Sequence, residues 1–191
     1  MTTYDFLELK GYTMTTYDFL DGAGPVPAHQ HSNGGGWVAD STRVVDSAFV
    51  GPDAKVFGNA KVRGNAMVYG NAMVYDNAEV YGNAEVSGNA WVYGNASVYG
   101  YATVYGNASV YGYALVYGNN ARVFGNASVY GNASVYGYAL VYGNARVSGN
   151  AWVYGNASVY GNASVYGAAK VFGNAVVGMR LDAESLKIVP L

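Results

Sequence analysis

The chain has 191 residues, 10 basic and 12 acidic side chains for a net charge of −2, 20 tyrosines and no cysteine. The charge leaves no basic footprint for nucleic acid, the missing cysteines exclude disulfides and thiolate metal sites, and no apolar run is long enough to span a bilayer, so no membrane insertion is expected. Disorder would need high charge with few aromatic and β-branched residues; this composition is the reverse and predicts a folded chain.

Residues 1–36 read as an N-terminal arm or cap. Met1-Thr2-Thr3-Tyr4-Asp5-Phe6-Leu7 returns as Met14 to Leu20, a direct duplication that suits either two hairpin strands or a swapped arm docking on the end of another molecule. Asp5, Glu8, Lys10 and Asp18 interrupt the start, so no secretory signal is expected there. Gly24-Pro25-Val26-Pro27 reads as an extended linker. His29 and His31 make a His-x-His pair of the kind that holds zinc on a strand. No third ligand stands nearby, and the pair reads as part of a polar linker. Gly34-Gly35-Gly36 lacks the Lys-Ser/Thr that a phosphate loop needs.

Residues 37–178 repeat one six-residue phrase, as in Ala127-Ser128-Val129-Tyr130-Gly131-Asn132. Valine recurs 24 times at every sixth position, from Val38 to Val116 and again from Val123 to Val177, with one extra residue at Asn119–Asn120. Self-similarity at a short fixed period marks a solenoid. In a strand, side chains alternate between two faces, so Val129 and Ala127 point one way while Ser128 and Tyr130 point the other. Gly and Asn tolerate positive φ and mark a corner. Three strands and three corners give an 18-residue triangular turn. Twenty-four units then make about eight coils, a stack about 38 Å long at ~4.8 Å per rung. Valine and alanine from three walls fill a narrow core. The extra residue reads as a corner bulge that keeps later coils in register.

Residues 179–191 read as a C-terminal cap. Asp182-Ala183-Glu184-Ser185-Leu186-Lys187 suits a short helical turn before Ile188-Val189-Pro190.

The run Val-Tyr-Gly-Asn-Ala-Ser resembles the hexapeptide repeat of left-handed parallel β-helix proteins: an aliphatic residue, turn-tolerant residues, then a small residue four after the aliphatic one. The resemblance spans about residues 36–178 and implies left-handed winding. The slot after the aliphatic residue is usually small or acidic in that family, and here it is mostly Tyr. A right-handed triangular solenoid of bactofilin type is the structural alternative. Gly34-Gly35-Gly36-Trp37-Val38 resembles the entry to the first coil of enterobacterial and prophage repeat proteins. Together these imply all-β architecture and slightly favour an extracellular or virion-associated setting. Many left-handed β-helix enzymes use histidine as base or zinc ligand, but these coils hold no histidine. With no nucleophile–base set either, no catalysis and no cofactor are expected.

The outward slots carry the functional expectation. Residues 18 apart, or 19 across the insertion, stack on one face. One face then carries Tyr75, Tyr93, Tyr111 and Tyr130, with Ser148 before Tyr166. A second carries Tyr81, Tyr99, Tyr117, Tyr136 and Tyr154, and the third Tyr69, Ser87, Tyr105, Tyr142 and Tyr160. Phe57, Phe124 and Phe172 join these ladders, and Trp91 and Trp152 stand in the slots before valine. Stacked aromatics stabilise a sheet, and an exposed aromatic surface also suits contact with a partner. Between Val86 and Ala169 only Arg122 and Arg146 are charged, so little repulsion keeps copies apart. The expectation is a structural solenoid that self-associates through these faces or its ends into an ordered assembly or filament. The alternative is a fibre or adhesin module that stacks carbohydrate on the same tyrosines. Tyr101, Tyr113 and Tyr138 replace corner asparagines and read as surface decoration, while the remaining corner asparagines suit amide ladders. Lys61 and Glu79 should stack as an exposed pair; Lys55 lies one rung from both Trp37 and Met73, where a solvated edge is favoured over a cation–π contact with Trp37.

Overall fold

The computed structural model describes residues 7–9 and 12–178, with side chains from residue 15 onward; the expected C-terminal cap lies outside them. Among the described residues every regular element is a strand, and no helix is long and apolar enough to cross a membrane. The first elements are β1 (Leu7–Leu9), β2 (Tyr12–Met14), β3 (Thr16–Tyr17) and β4 (Val26–Gln30). The opening coil follows as β5 (Trp37–Ala39), β6 (Arg43–Val44) and β7 (Phe49–Val50).

From β5 onward each strand joins the sheet of the strand three places before it, which winds the chain around three walls. The wall begun by β5 is face one, that begun by β6 face two, and that begun by β7 face three. All pairings along the walls are parallel and in register, valine on valine: Val38 beside Val56, Val44 beside Val62, Val50 beside Val68. The expected parallel β-solenoid of about eight coils of roughly 18 residues is therefore the fold.

The alternation within each unit explains the core. Valines from Val50 to Val165 and their partner alanines from Ala48 to Ala163 are fully buried and form one continuous cluster. Each strand is too short to be stable alone, so its stability comes from the coils above and below. The backbone supplies the clamp: Ser97 N–H donates to Ala114 O at 2.9 Å and Tyr93 N–H to Val110 O at 3.0 Å.

Glycine is required at the corners for two reasons, seen at Gly131. Its φ is +71°, which side chains with a Cβ rarely adopt. A Cβ there would also lie 3.0 Å from Gly149 N of the next coil. Asp76 is the one repeat corner where another residue takes this conformation, with φ +58°. Short polar side chains tolerate it best, and Asp76 Oδ2 accepts a hydrogen bond from Gly94 N–H at 3.1 Å.

Amide ladders run along the edges as expected. At the corner between faces three and one, Asn71, Asn89, Asn107, Asn126, Asn144 and Asn162 bond in sequence at 3.0–3.2 Å. Tyr113 interrupts the ladder at a second corner, and Tyr101 and Tyr138 interrupt the third. The insertion lies between Tyr101 and Tyr138. Its bulge is absorbed in the corner: Gly118 reaches φ +104°, Asn120 N–H bonds Gly137 O, and Thr103 then pairs with Arg122 in register.

The N-terminal arm folds onto its own first coil. β1 and β2 form an antiparallel hairpin. β4 lies antiparallel between β3 and β5, so Val26–Pro27, read from sequence as linker, is strand. His31 is buried, and its Nε2–H donates to Ala48 O at 3.0 Å, beside the Asn33 amide on the same carbonyl. Gly36 N–H bonds Val50 O, and Val50 N–H bonds Asn33 O. Residues 31–36 thus cover the edge of β7, while β4 covers that of β5. Uncovered strand edges template pairing with other chains, and the arm closes two of the three.

Candidate functional site

The aromatic ladders form as periodicity predicts. On face one, Phe57, Tyr75, Tyr93, Tyr111 and Tyr130 stack with centroids 4.8–5.0 Å apart. On face two, Tyr81, Tyr99, Tyr117, Tyr136, Tyr154 and Phe172 stack at 4.7–5.3 Å. On face three, Tyr105, Phe124, Tyr142 and Tyr160 stack at 4.9–5.6 Å. Parallel strands repeat at ~4.8 Å, so every ring meets its neighbour one rung away. The rings are consequently half-buried: their faces touch other rings and their edges and hydroxyls face outward.

The arm adds a rung that periodicity could not reveal. Phe19 stacks on Phe57 at 4.9 Å, which extends the face-one ladder beyond the first coil. Tyr17 stacks on Trp37 at 4.4 Å. The Tyr and Phe of the second Met-Thr-Thr-Tyr-Asp-Phe-Leu copy are therefore the packing side of the cap. Lys55, read from sequence as a solvated edge in preference to a Trp37 contact, has its Nζ 5.5 Å from the Tyr17 centroid, so the arm supplies the ring it meets.

Burial sets the chemistry of the phenols. It pushes the Tyr75 pKa up to about 12, with the neighbouring Tyr93 and Asp76 adding to the shift. Tyr81, Tyr93, Tyr99, Tyr111 and Tyr136 are raised as well, burial again the largest cause. These six phenols on faces one and two are thus neutral hydroxyl groups at ordinary pH.

Trp91 and Trp152 are exposed, 44% and 42% respectively, as are corner residues Tyr101 (60%), Tyr113 (64%) and Tyr138 (52%). Lys170 Nζ lies 4.9 Å from the Trp152 ring, and Tyr136 meets the same indole edge-on. Lys61 and Glu79 pair at 2.8 Å as expected, and Arg63 adds a second contact to Glu79 at 2.6 Å. These cations, the Lys61 hydrogen bond above all, hold the Glu79 carboxyl below its usual range. Arg63 lies two residues from Lys61 on the same outward face, the signal that would have found it. His29 and His31 have separate partners, since His29 Nδ1 meets Asp40 at 2.7 Å while His31 turns inward. Among the described residues no cluster of three His, Cys, Asp or Glu is placed to hold a metal.

Grooves break the ribbed surface, two of which border the ladders ahead of Val123. One, of about 470 Å³, lies between the cap and face one, lined by Phe19, Leu20, Phe57, Met73, Tyr75 and Trp91 among others. The other, of about 580 Å³, crosses face three where Ser87 interrupts the rings between Tyr69 and Tyr105.

A family model described as YdcK beta solenoid repeat matches residues 139–155, a stretch just short of one coil. No curated protein matches the chain. The match covers Ala139-Leu140-Val141-Tyr142-Gly143-Asn144, the unit after it and the third as far as Gly155, each with the inward valine and the corner glycine. The winding of the backbone and this repeat together make the chain a parallel β-solenoid repeat protein.

Proposed function

We propose that the chain is a non-catalytic structural solenoid that self-associates through its tyrosine-ribbed faces into an ordered assembly. The observation that carries this reading is the combination of stacked aromatic rings on all three walls with only Arg122 and Arg146 charged between Val86 and Ala169. Tyrosine offers large contact area at low entropic cost. Ribs spaced one rung apart let two such faces interdigitate over many coils, so weak contacts multiply along the stack. The arm supports faces over the N-terminal end as the contact, because it already occupies two of the three edges there.

The carbohydrate alternative has narrower support. Sugars stack on ring faces, and inside a ladder both faces of each ring are covered. The exposed indole of Trp91 and the exposed corner rings of Tyr101, Tyr113 and Tyr138 are the platforms left for it.

Sedimentation velocity and negative-stain imaging of the purified protein test the proposal against the variant Tyr93→Ser/Tyr99→Ser/Tyr105→Ser, which changes one ring on each wall. The native chain should form concentration-dependent particles larger than one chain, and the variant should keep its β-sheet circular dichroism while assembling more weakly. A native chain that stays monomeric at every concentration removes the proposal. Discrete particles that bind a glycan array favour the alternative.

A further inference from the structure

We propose that the gap at Ser87 is a binding slot for one phenolic ring, supplied by a free phenol or by a tyrosine side chain. The inference goes beyond self-association, because it concerns a single ligand site that is complete within one chain.

The argument starts from the spacing. Ser87 takes the position of a ladder tyrosine, on the strand that pairs Glu85 with Met67 on one side and Thr103 on the other. The rungs bearing Tyr69 and Tyr105 therefore stand about 9.6 Å apart, twice the ~4.8 Å strand repeat. A flat ring placed midway would lie about 4.8 Å from each, the separation that the ladders themselves adopt. A chair-form sugar is thicker and fits less well. Between the two rungs the groove is one ring wide, although at about 580 Å³ it extends well beyond that ring.

The surroundings are polar, and several groups are already held. The Tyr69 hydroxyl donates to Glu85 Oε2 at 3.2 Å. Arg122 Nε–H donates to Asn120 Oδ1 at 3.0 Å, so the corner insertion positions the guanidinium at the groove. Tyr101, which also lines it, is exposed. A second observation is independent of the spacing: Thr103 Oγ1, also lining the groove, is buried and has no hydrogen-bond partner among the described residues. Such orphaned hydroxyls are uncommon and ask for an explanation. Thr103 Oγ1 thus marks the floor of the groove as incompletely filled, while the hydroxyl of a ring seated as a rung faces outward with those of the ladders.

Ser148 makes a second gap, between Tyr130 and Tyr166 on face one. Its groove is about 240 Å³ against about 580 Å³, and it holds no such hydroxyl. The proposal is therefore confined to Ser87, and its test is made with the second gap filled.

The probe is p-cresol, the tyrosine side-chain analogue, followed by saturation-transfer NMR in a Ser148→Tyr background, with methyl β-glucoside alongside. Saturation transfer to p-cresol is expected. It should persist in Ser87→Ala, which keeps the gap, and vanish in Ser87→Tyr, which restores a rung and should leave the melting temperature equal or higher. Tyr105→Ser removes one wall and should weaken binding roughly threefold to tenfold, the worth of one aromatic pair. No transfer to p-cresol overturns the proposal, as does transfer unchanged in a folded Ser87→Tyr chain. Binding of the glucoside in place of p-cresol overturns it too. Sedimentation with added p-cresol then assigns the source: dispersal of assemblies points to a tyrosine of a second copy, and unaltered assemblies with p-cresol bound point to a free phenol.

Discussion

Val98→Ala tests the inward wall most directly. Val98 is fully buried, between Val80 and Val116 in the face-two sheet. The substitution removes two methyl groups, worth about 1.6 kcal/mol of transfer free energy at ~0.8 kcal/mol each. It also opens roughly 50 Å³ of cavity, which costs about 1.2 kcal/mol at ~24 cal/mol per Å³. The cavity has little freedom to collapse, because Glu79 N–H to Ala96 O and Ser97 N–H to Ala114 O, each 2.9 Å, fix the rung spacing on both sides. The expected loss is about 3 kcal/mol, or about 6–12 °C in melting temperature for a chain of this length. Coils interact chiefly with their neighbours, so amide exchange should accelerate first around Val80, Val98 and Val116 and only later at Val153. Ser97→Ala, which changes the outward side chain next door, should stay within about 0.5 kcal/mol of the native chain. Thermal melts followed by circular dichroism, with exchange mass spectrometry, give both readouts. A native melt for Val98→Ala with a large loss for Ser97→Ala would reverse the assignment of inside and outside and refute the reasoning.

Alkali should unfold the ladders. On faces one and two, Tyr81, Tyr93, Tyr99, Tyr111 and Tyr136 have raised pKa values in the fold, and Tyr75 is pushed up to about 12 from an ordinary 10.0. The folded state thus holds protons that the unfolded state releases, and the associated stability is present below pH 10 and lost as pH rises through the folded values. Tyrosinate absorbance should lag an ordinary titration and rise together with loss of the β-sheet signal; ladder phenols that ionise near pH 10 with the sheet intact would contradict their burial. His31→Ala should cost about 1–2 kcal/mol locally through the lost Nε2–H bond to Ala48 O. The readout is faster exchange at Phe49 and Val50, with coils beyond Val110 unchanged; equal protection at Val50 would show that Asn33 alone secures that edge.

The repeat made most of the architecture legible. A valine every six residues, alternating with an outward slot and closed by glycine, leaves one arrangement in which all the valines share a dry interior. Nearest-neighbour stacking then places Tyr99 over Tyr81 and Asn89 over Asn71 with no further information, because each such contact is the same local step repeated. Departures from the phrase were visible too, but not their consequences. The 18-residue spacing already sets Ser87 between Tyr69 and Tyr105, but only the structure shows that Tyr101, Thr103 and Arg122 line the gap it leaves.

The arm lay beyond sequence reasoning for a different reason. Tyr17 on Trp37, Phe19 on Phe57 and His31 on Ala48 are single, non-repeating contacts made by an antiparallel strand against a parallel stack. No period links these partners, and an arm that swaps onto another molecule satisfies the same side chains. Only the tertiary structure shows β3 and β4 of the arm turning back on its own first coil. There it supplies the edge of β5 with hydrogen bonds and the face-one ladder with an additional ring.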